Sequence, residues 1–201
     1  RQMLDEAGFP EVIICASNDL DETIIRDLKL QGARIDLWGV GTKLITSADR
    51  SAFGGVYKMC ALETDGVLQP KIKRSDNPIK VTLPGLQELY RIYDPQGMAV
   101  ADLITLADEV IDENEPLTIF DPQDTWKRMT LTHYSLKKLL TPLVRDGQPV
   151  AELPGLMAIR DYREQDEATI WEQHLRLIFP TAFKVDWSHK LWTLRNNMLH
   201  D

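Results

Sequence analysis

The segment RIDLWGVGTKLITSADRSAFGGVYK, residues 34–58, contains two groups of glycines next to apolar runs: Gly39-Val40-Gly41-Thr42 and Gly54-Gly55. Glycine lets the backbone approach a ligand closely, so that successive N–H groups point at one anion, and the Thr42 hydroxyl adds a donor. The pattern predicts a phosphate-binding loop at 39–42, closed by Gly54-Gly55, with a simple turn as the open alternative for each group. It matches neither the dinucleotide-binding GxGxxG pattern nor the P-loop pattern GxxxxGK[ST].

The predicted loop follows the second of two predicted strands. Residues 11–16 (EVIICA) and 34–38 have the length and apolar character of strands, and the residues between them predict a helix. Either Asp19 or Asp21 would cap that helix, and Gly32 would end it. Two strands joined by a helix of this length favour a parallel pair with a right-handed crossover.

Three small polar residues, Ser17, Asn18 and Asp19, follow the first predicted strand, as the glycine loop follows the second. Ligands of α/β folds bind at the carboxyl ends of the strands. These three residues are therefore candidate contacts for the hydroxyl groups of a sugar. Helix capping is the alternative function, and it accounts for one of the three.

Beyond Gly54 the pattern changes to short strands and then to helices. The candidate strands are VYKMCALE (56–63), LQPKIKR (68–74), IKVTL (79–83), LQELYRIYD (86–94), MAVADLITL (98–106) and LTIFD (117–121). Apolar residues in the last third keep roughly helical spacing, and Ser188 would cap a final helix. The sequence thus predicts an α/β segment over 1–62, a mostly antiparallel β segment over 63–154 and a helical segment over 155–201.

Composition narrows the functional classes. The chain of 201 residues has a net charge of −8 and no basic block, which argues against a nucleic-acid-binding surface. No apolar run approaches the ~18 residues of a membrane span. The four histidines lack metal-ligand spacing, so no metal site is predicted. Cys15 and Cys60 lie in apolar runs, which predicts buried, reduced thiols and a cytoplasmic protein.

Several segments together resemble the carboxyl-terminal portion of the nicotinate phosphoribosyltransferase family. Each segment alone is unspecific, but together they extend over nearly the whole chain. They are MLDEAGFP (3–10), ASNDLDE (16–22), WGVGTKLIT (38–46), FGGVYKM (53–59), KRSDNPIKVTLPG (73–85) and YRIYD (90–94).

The resemblance implies a reaction and a fold. The family couples nicotinate to phosphoribosyl pyrophosphate, forming nicotinate mononucleotide and pyrophosphate with the help of ATP hydrolysis and Mg²⁺, in NAD biosynthesis and salvage. Its members pair an irregular α/β barrel with a second domain and form homodimers. Residues 1–62 would supply the last βα elements of the barrel, and 63–154 would belong to the second domain.

The resemblance also assigns binding residues. Binding of the 5′-phosphate is assigned to Gly39, Val40, Gly41 and Thr42. Contact with the ribose is assigned to Ser17, Asn18 and Asp19, with Gly54 and Gly55 nearby.

No catalytic residue carries over from the family, because its DSGD motif and its phosphorylated histidine are absent from this sequence. None of the four histidines here matches that histidine. We therefore expect a carboxyl-terminal fragment that is inactive by itself, with the main ligands of Mg²⁺ and ATP outside it. Two alternatives stay open: another type II phosphoribosyltransferase acting on nicotinamide or quinolinate, and a non-catalytic fragment used for dimer packing. The WGVGT and GGVYK segments favour nicotinate.

Overall fold

The computed structural model of the chain describes residues 1–52 and 54–200. Phe53, with which the FGGVYKM segment begins, lies outside the described residues. The chain separates into two units, Arg1–Val56 and a larger one that begins at Tyr57. The segment boundaries at 62 and 154 stay a prediction.

The first unit contains a pair of parallel strands, as the sequence predicts. Its elements are α1 (Gln2–Glu6), β1 (Cys15–Ser17), α2 (Glu22–Leu30), β2 (Leu37–Gly39) and α3 (Thr42–Ile45). Cys15 pairs with Leu37 and Ser17 with Gly39 in parallel register. Gly32 follows α2 with a φ of +82°, the left-handed conformation that commonly ends helices.

The predicted burial of the two cysteines is wrong for Cys15, which is exposed, and Cys60 is only partly buried. The strand Cys15–Ser17 shares only Cys15 and Ala16 with the predicted run 11–16. Ile13, in the same run, is 64% exposed. Each strand of this two-stranded sheet has one neighbour, and the described residues of the unit leave the run largely uncovered. Leu20 is buried here, with 6% exposure.

The second unit is built on a six-stranded sheet. Its strands are β5 (Gln87–Tyr93), β6 (Ala99–Leu106), β7 (Leu117–Phe120), β8 (Arg128–Leu131), β9 (Ser135–Lys138) and β12 (Val185–Trp187). Their order across the sheet is β8-β7-β12-β6-β5-β9. Two hairpins lie outside this sheet: β3 (Ala61–Thr64) with β4 (Val67–Pro70), and β10 (Val144–Arg145) with β11 (Gln148–Pro149). The pairs within the sheet are antiparallel except that β12 runs parallel to β6.

The core of the second unit lies on the central strands. Ile92, Ala101, Leu103 and Ile119 are almost completely buried against one another. Ala99, Ala101, Leu103 and Thr105 alternate along β6 with partly exposed residues, the period expected of a strand. The central strands of the sheet therefore hold the main hydrophobic cluster.

The helices of the second unit are α4 (Leu156–Glu167), α5 (Glu172–Leu175) and α6 (His189–His200). The predicted cap of the last helix is confirmed, since the Ser188 hydroxyl accepts a hydrogen bond from the Leu191 N–H at 3.1 Å. The predicted strand at 79–83 is wrong: Pro78–Lys80 forms a 3₁₀ turn instead. Pro78 restricts the local φ, and Pro84 follows the segment directly, which disfavours a ladder.

Candidate functional site at the strand ends of the first unit

The carboxyl ends of β1 and β2 bring the two predicted polar segments side by side. Ser17, the last residue of β1, is paired with Gly39, the last residue of β2. A Cβ atom added to Gly39 would lie 3.1 Å from the Ser17 Cβ. Gly39 thus allows a close approach of the two strands at the point where both loops begin.

The segment after β1 turns sharply through two left-handed residues. Asn18 has a φ of +90° and Asp19 a φ of +47°, a conformation that asparagine and aspartate tolerate better than other non-glycine residues. The next residue, Leu20, is buried. Ser17, Asn18 and Asp19 are exposed, and within the described part of the chain their side chains have no hydrogen-bond partner. These polar groups are therefore available to a ligand.

The helix cap after β1 is Asp21 rather than Asp19. The Asp21 carboxylate accepts a hydrogen bond of 2.8 Å from the Ile24 N–H in the first turn of α2. Capping thus occupies neither Ser17, Asn18 nor Asp19, and the alternative function considered for these three residues does not apply to them.

The loop after β2 passes directly into the short helix α3, whose N-cap is Gly41. The Gly41 carbonyl accepts the N–H groups of Leu44 and Ile45, at 3.1 Å each. The N–H groups of Gly41, Thr42 and Lys43 have no acceptor anywhere in residues 1–52 and 54–200. Three backbone donors and the exposed Thr42 hydroxyl are therefore free to bind an anion.

One ion pair connects the two loops. The Lys43 ammonium lies 2.5 Å from Oδ2 of Asp21, while Oδ1 of the same carboxylate caps α2. The bond from Ile24 and the contact with Lys43 lower the pKa of Asp21. The Asp21 carboxylate in turn raises the pKa of Lys43. Both groups therefore stay charged at neutral pH.

A cavity of about 400 Å³ lies beside this ion pair. Apolar side chains line part of it and charged side chains the rest. The lining residues are Asp21, Glu22, Ile25, Val40, Lys43, Leu44, Ser47, Ala48, Asp49 and Arg50. Val40 is thus the member of the predicted loop that faces the cavity, whereas Gly39, Gly41 and Thr42 are absent from its lining.

Not every predicted site residue joins this arrangement. Gly54 and Gly55 are exposed, and a Cβ built on either one meets no atom within 4 Å. Their part in closing the loop stays a prediction. The described residues contain no group of three His, Cys, Asp or Glu side chains that could hold a metal ion. Nor does any helix among them have the length and apolar character needed to cross a bilayer.

Sequence reasoning missed Lys43 as a member of the site. Its position directly after Thr42 was a usable signal, because the first turn of a predicted helix lies next to its N-cap. Its partner could not be identified in advance, since Asp21 precedes it by 22 residues.

Comparison with known proteins supports the sequence resemblance. Residues 86–195 match the family model described as the nicotinate phosphoribosyltransferase C-terminal domain. The nicotinate phosphoribosyltransferase of Bacillus subtilis is 40% identical over 100% of this chain and 41% of its own length. The nicotinate phosphoribosyltransferase of Caenorhabditis elegans is 35% identical over 92% of this chain and 32% of its own length.

The fold also has a solved counterpart. A crystal structure of human nicotinic acid phosphoribosyltransferase superposes with a TM-score of 0.72 at 23% identity, covering 98% of this chain and 35% of that one. This likeness shows a shared fold. The chain spans 41% of the length of the bacterial relative and 32% of that of the nematode relative.

Proposed function

Because the chain belongs to the nicotinate phosphoribosyltransferase family, we propose that it supplies the phosphate-holding part of an enzyme that joins nicotinate to phosphoribosyl pyrophosphate. The products would be nicotinate mononucleotide and pyrophosphate, with ATP hydrolysis assisting, in NAD biosynthesis. Residues 39–42 would bind the 5′-phosphate, and Ser17, Asn18 and Asp19 would contact the ribose. The family match of residues 86–195 and the 40% identity to the Bacillus subtilis protein over the whole chain support the choice of reaction.

The observation that carries the phosphate assignment is the set of free donors at the start of α3. The N–H groups of Gly41, Thr42 and Lys43 lack an acceptor within the described residues. Such groups bind a phosphate well, because convergent N–H dipoles complement its charge without a counter-ion from a side chain. Lys43 adds a positive charge on the same turn, although Asp21 offsets it.

The proposed chemistry needs a held substrate more than a strong nucleophile. Displacement at the anomeric carbon passes through an oxocarbenium-like transition state, so the positions of the leaving group and the incoming ring control the rate. A loop that fixes the 5′-phosphate supplies binding energy far from the reacting carbon, and that energy can orient the ribose. The polar side chains of Ser17, Asn18 and Asp19 would contact the hydroxyl groups of the same sugar.

The family resemblance also implies Mg²⁺ and ATP. The described residues offer no cluster of three metal-ligating side chains, and the sequence contains no P-loop pattern. We therefore assign no step of the reaction to a metal or a nucleotide triphosphate held by this chain.

Titration of nicotinate mononucleotide into the intact protein that carries this chain tests the proposal. Gly41→Asp places a carboxylate beside the free N–H groups, and we expect at least a tenfold loss of affinity. Gly155→Asp is the matched control, because Gly155 is also a helix N-cap in open space. It should bind like the wild type.

The same titration with nicotinate riboside, which lacks the phosphate, locates the effect. If residues 39–42 hold the phosphate, Gly41→Asp should leave the weaker binding of the riboside unchanged. Thr42→Val should lower the affinity for the mononucleotide. Thr42→Ser should keep the wild-type affinity, because serine retains the hydroxyl. Equal losses for riboside and mononucleotide would refute the phosphate role, with circular dichroism checking that each variant is folded.

The homodimer of the family also belongs to this proposal. Exposed apolar side chains of the first unit, such as Leu44 at 70% and Ile45 at 86%, favour packing against more protein, which fits a homodimer. That observation also supports the second candidate, a non-catalytic packing fragment. Binding of mononucleotide by the intact protein would exclude this candidate. Preference for nicotinamide or quinolinate as the base would favour the other type II phosphoribosyltransferases.

A further inference from the structure

The segment 41–50, which contains the free donors of the proposed phosphate loop, is fixed by few contacts. Every residue of this segment is exposed. Its main-chain hydrogen bonds within the described residues join members of the segment to one another, such as the bond from the Ala48 N–H to the Lys43 carbonyl at 3.1 Å. Burial and main-chain bonds therefore do not hold the segment against the rest of the first unit.

One side-chain contact connects this segment to another part of the unit. Nζ of Lys43 donates to Oδ2 of Asp21 at 2.5 Å. Among residues 1–52 and 54–200, this is the only hydrogen bond or ion pair between the segment 41–50 and a residue outside it. The place of the loop thus depends on the contact between Asp21 and Lys43.

The Asp21 end of this contact is itself held in place. Its side chain is 16% exposed, and its Oδ1 accepts the Ile24 N–H at 2.8 Å at the start of α2. The left-handed turn at Asn18 and Asp19 comes shortly before it. The carboxylate is therefore a fixed point beside the residues proposed to contact the ribose.

Apolar packing does not replace the ion pair. Ile25 of α2 and Leu44 of α3 both line the cavity of about 400 Å³ beside it, so open space separates the helices there. We propose that Asp21 is a positioning residue: through Lys43 it fixes the free N–H groups of the loop without touching the phosphate itself. This inference rests on the proposed phosphate role of residues 39–42.

The sign of the effect separates positioning from simple charge repulsion. A carboxylate repels a nearby phosphate, so loss of its charge alone would tighten phosphate binding. Loss of a positioning contact would weaken it. Asp21→Asn makes the distinction, because its single oxygen can still cap α2 while its amide group cannot accept a bond from Lys43.

Titration of nicotinate mononucleotide into the intact protein measures this sign. Asp21→Asn should lower the affinity at least threefold and leave the affinity for nicotinate riboside unchanged. Lys43→Arg keeps a cation that can pair with Asp21 and should stay within twofold of the wild type. Asp27→Asn is the matched control, since it removes a carboxylate from α2 whose side chain is 56% exposed. It should leave both affinities unchanged.

A double variant tests whether Asp21 acts through Lys43. Lys43→Met should weaken the mononucleotide at least as much as Asp21→Asn does. The variant with both substitutions should then bind no more weakly than Lys43→Met alone, because the contact is already lost. Circular dichroism checks that each protein is folded. Losses that add in full would overturn the proposal.

Other results would also overturn it. Unchanged or higher mononucleotide affinity in Asp21→Asn would show that Asp21 only offsets the charge of Lys43. An equal loss for the riboside would show that the effect is not directed at the phosphate. If Gly41→Asp also leaves mononucleotide binding unchanged, the phosphate role itself fails. If Gly41→Asp weakens binding and Asp21→Asn does not, the positioning role of Asp21 alone fails.

Discussion

The Asp21 carboxylate contacts the Lys43 ammonium at 2.5 Å while it caps α2 through the Ile24 N–H at 2.8 Å. Asp21 begins the helix that follows β1, and Lys43 stands in the helix that follows β2. One carboxylate therefore links the loops at both strand ends. The residues proposed to contact the ribose precede Asp21, and those proposed to bind the phosphate precede Lys43. The ion pair therefore connects the two halves of the candidate site.

Replacement of Asp21 separates its two functions. Asp21→Asn keeps an oxygen for the cap, so the Ile24 amide should exchange its hydrogen at nearly the wild-type rate, whereas Asp21→Ala should speed that exchange. Both variants should lower the pKa of Lys43 toward its ordinary 10.5, because the carboxylate raises it. Hydrogen exchange and titration of the lysine signal by magnetic resonance measure the two effects. An unchanged Lys43 titration in both variants would contradict the pairing.

Gly39→Ala should disturb the pairing of β1 and β2. The added Cβ would lie 3.1 Å from the Ser17 Cβ, so the strands must move apart slightly, at a cost of up to about 1 kcal/mol. Ser17→Gly in the same chain removes the opposing Cβ and should recover the loss. Gly41→Ala, which meets no atom within 4 Å, is the control. Urea unfolding measures the free energies, and failure of Ser17→Gly to rescue would argue against this contact.

The Arg91 guanidinium should contribute strongly to the stability of the second unit. It pairs with Asp102 through two bonds of 2.8 and 3.1 Å and with Asp166 at 2.8 Å. Arg91→Met leaves two half-buried carboxylates without this cation, and we expect the free energy of unfolding to fall by up to about 3 kcal/mol, since both remain partly hydrated.

The control for Arg91 is an exposed pair. Arg160 binds Glu164 at 3.0 Å with side-chain exposures of 67% and 52%, so Arg160→Met should change the unfolding free energy by less than about 0.5 kcal/mol. Urea midpoints compare the variants. Similar values for both would show that the Arg91 network is not stabilising.

Gly85→Ala should cost more than Gly97→Ala. Both glycines have left-handed φ values, +83° and +80°. Alanine at either position would therefore carry the same conformational strain, roughly 1–2 kcal/mol. At Gly85 alone, a Cβ would also lie 2.8 Å from Cδ2 of Leu106, which is buried. Thermal unfolding compares the two variants, and equal losses would mean that Leu106 repacks freely.

Asp186 should make stability depend on pH between the acidic range and neutrality. Its side chain is 1% exposed, and burial raises its pKa above 3.8, opposed by Lys184 at 3.0 Å. A raised pKa means that the folded state holds this proton more tightly than the unfolded state does. This group therefore adds stability as the pH falls through its folded-state pKa toward 3.8.

Asp186→Asn should remove that dependence. The variant should exceed the wild type in free energy of unfolding by the largest amount at pH 7. That difference should shrink as the pH falls to 4. Urea midpoints at several pH values measure this difference between the two proteins. Parallel pH profiles would show that Asp186 keeps its ordinary pKa.

The sequence alone predicted features that depend on a few neighbouring residues. The cap by Ser188 and the stop at Gly32 follow from spacing within one or two helical turns, where the backbone leaves defined donors and acceptors unpaired. The parallel pairing of the first two strands followed from a strand, a helix and a strand in sequence, because the crossover has one favoured hand. The family followed from several motifs taken together, since each one is short and common by itself.

Tertiary structure decided what depends on distant partners. Val185 pairs with Asp102, which inserts a strand from the predicted helical segment into the sheet, and a strand of three residues has too weak a pattern to be recognised. Cys15 lies in an apolar run yet is exposed, because burial requires covering elements that no local pattern specifies. Asp21 and Lys43 are 22 residues apart in the sequence. The sequence shows that both side chains are charged, but only the fold brings them into contact.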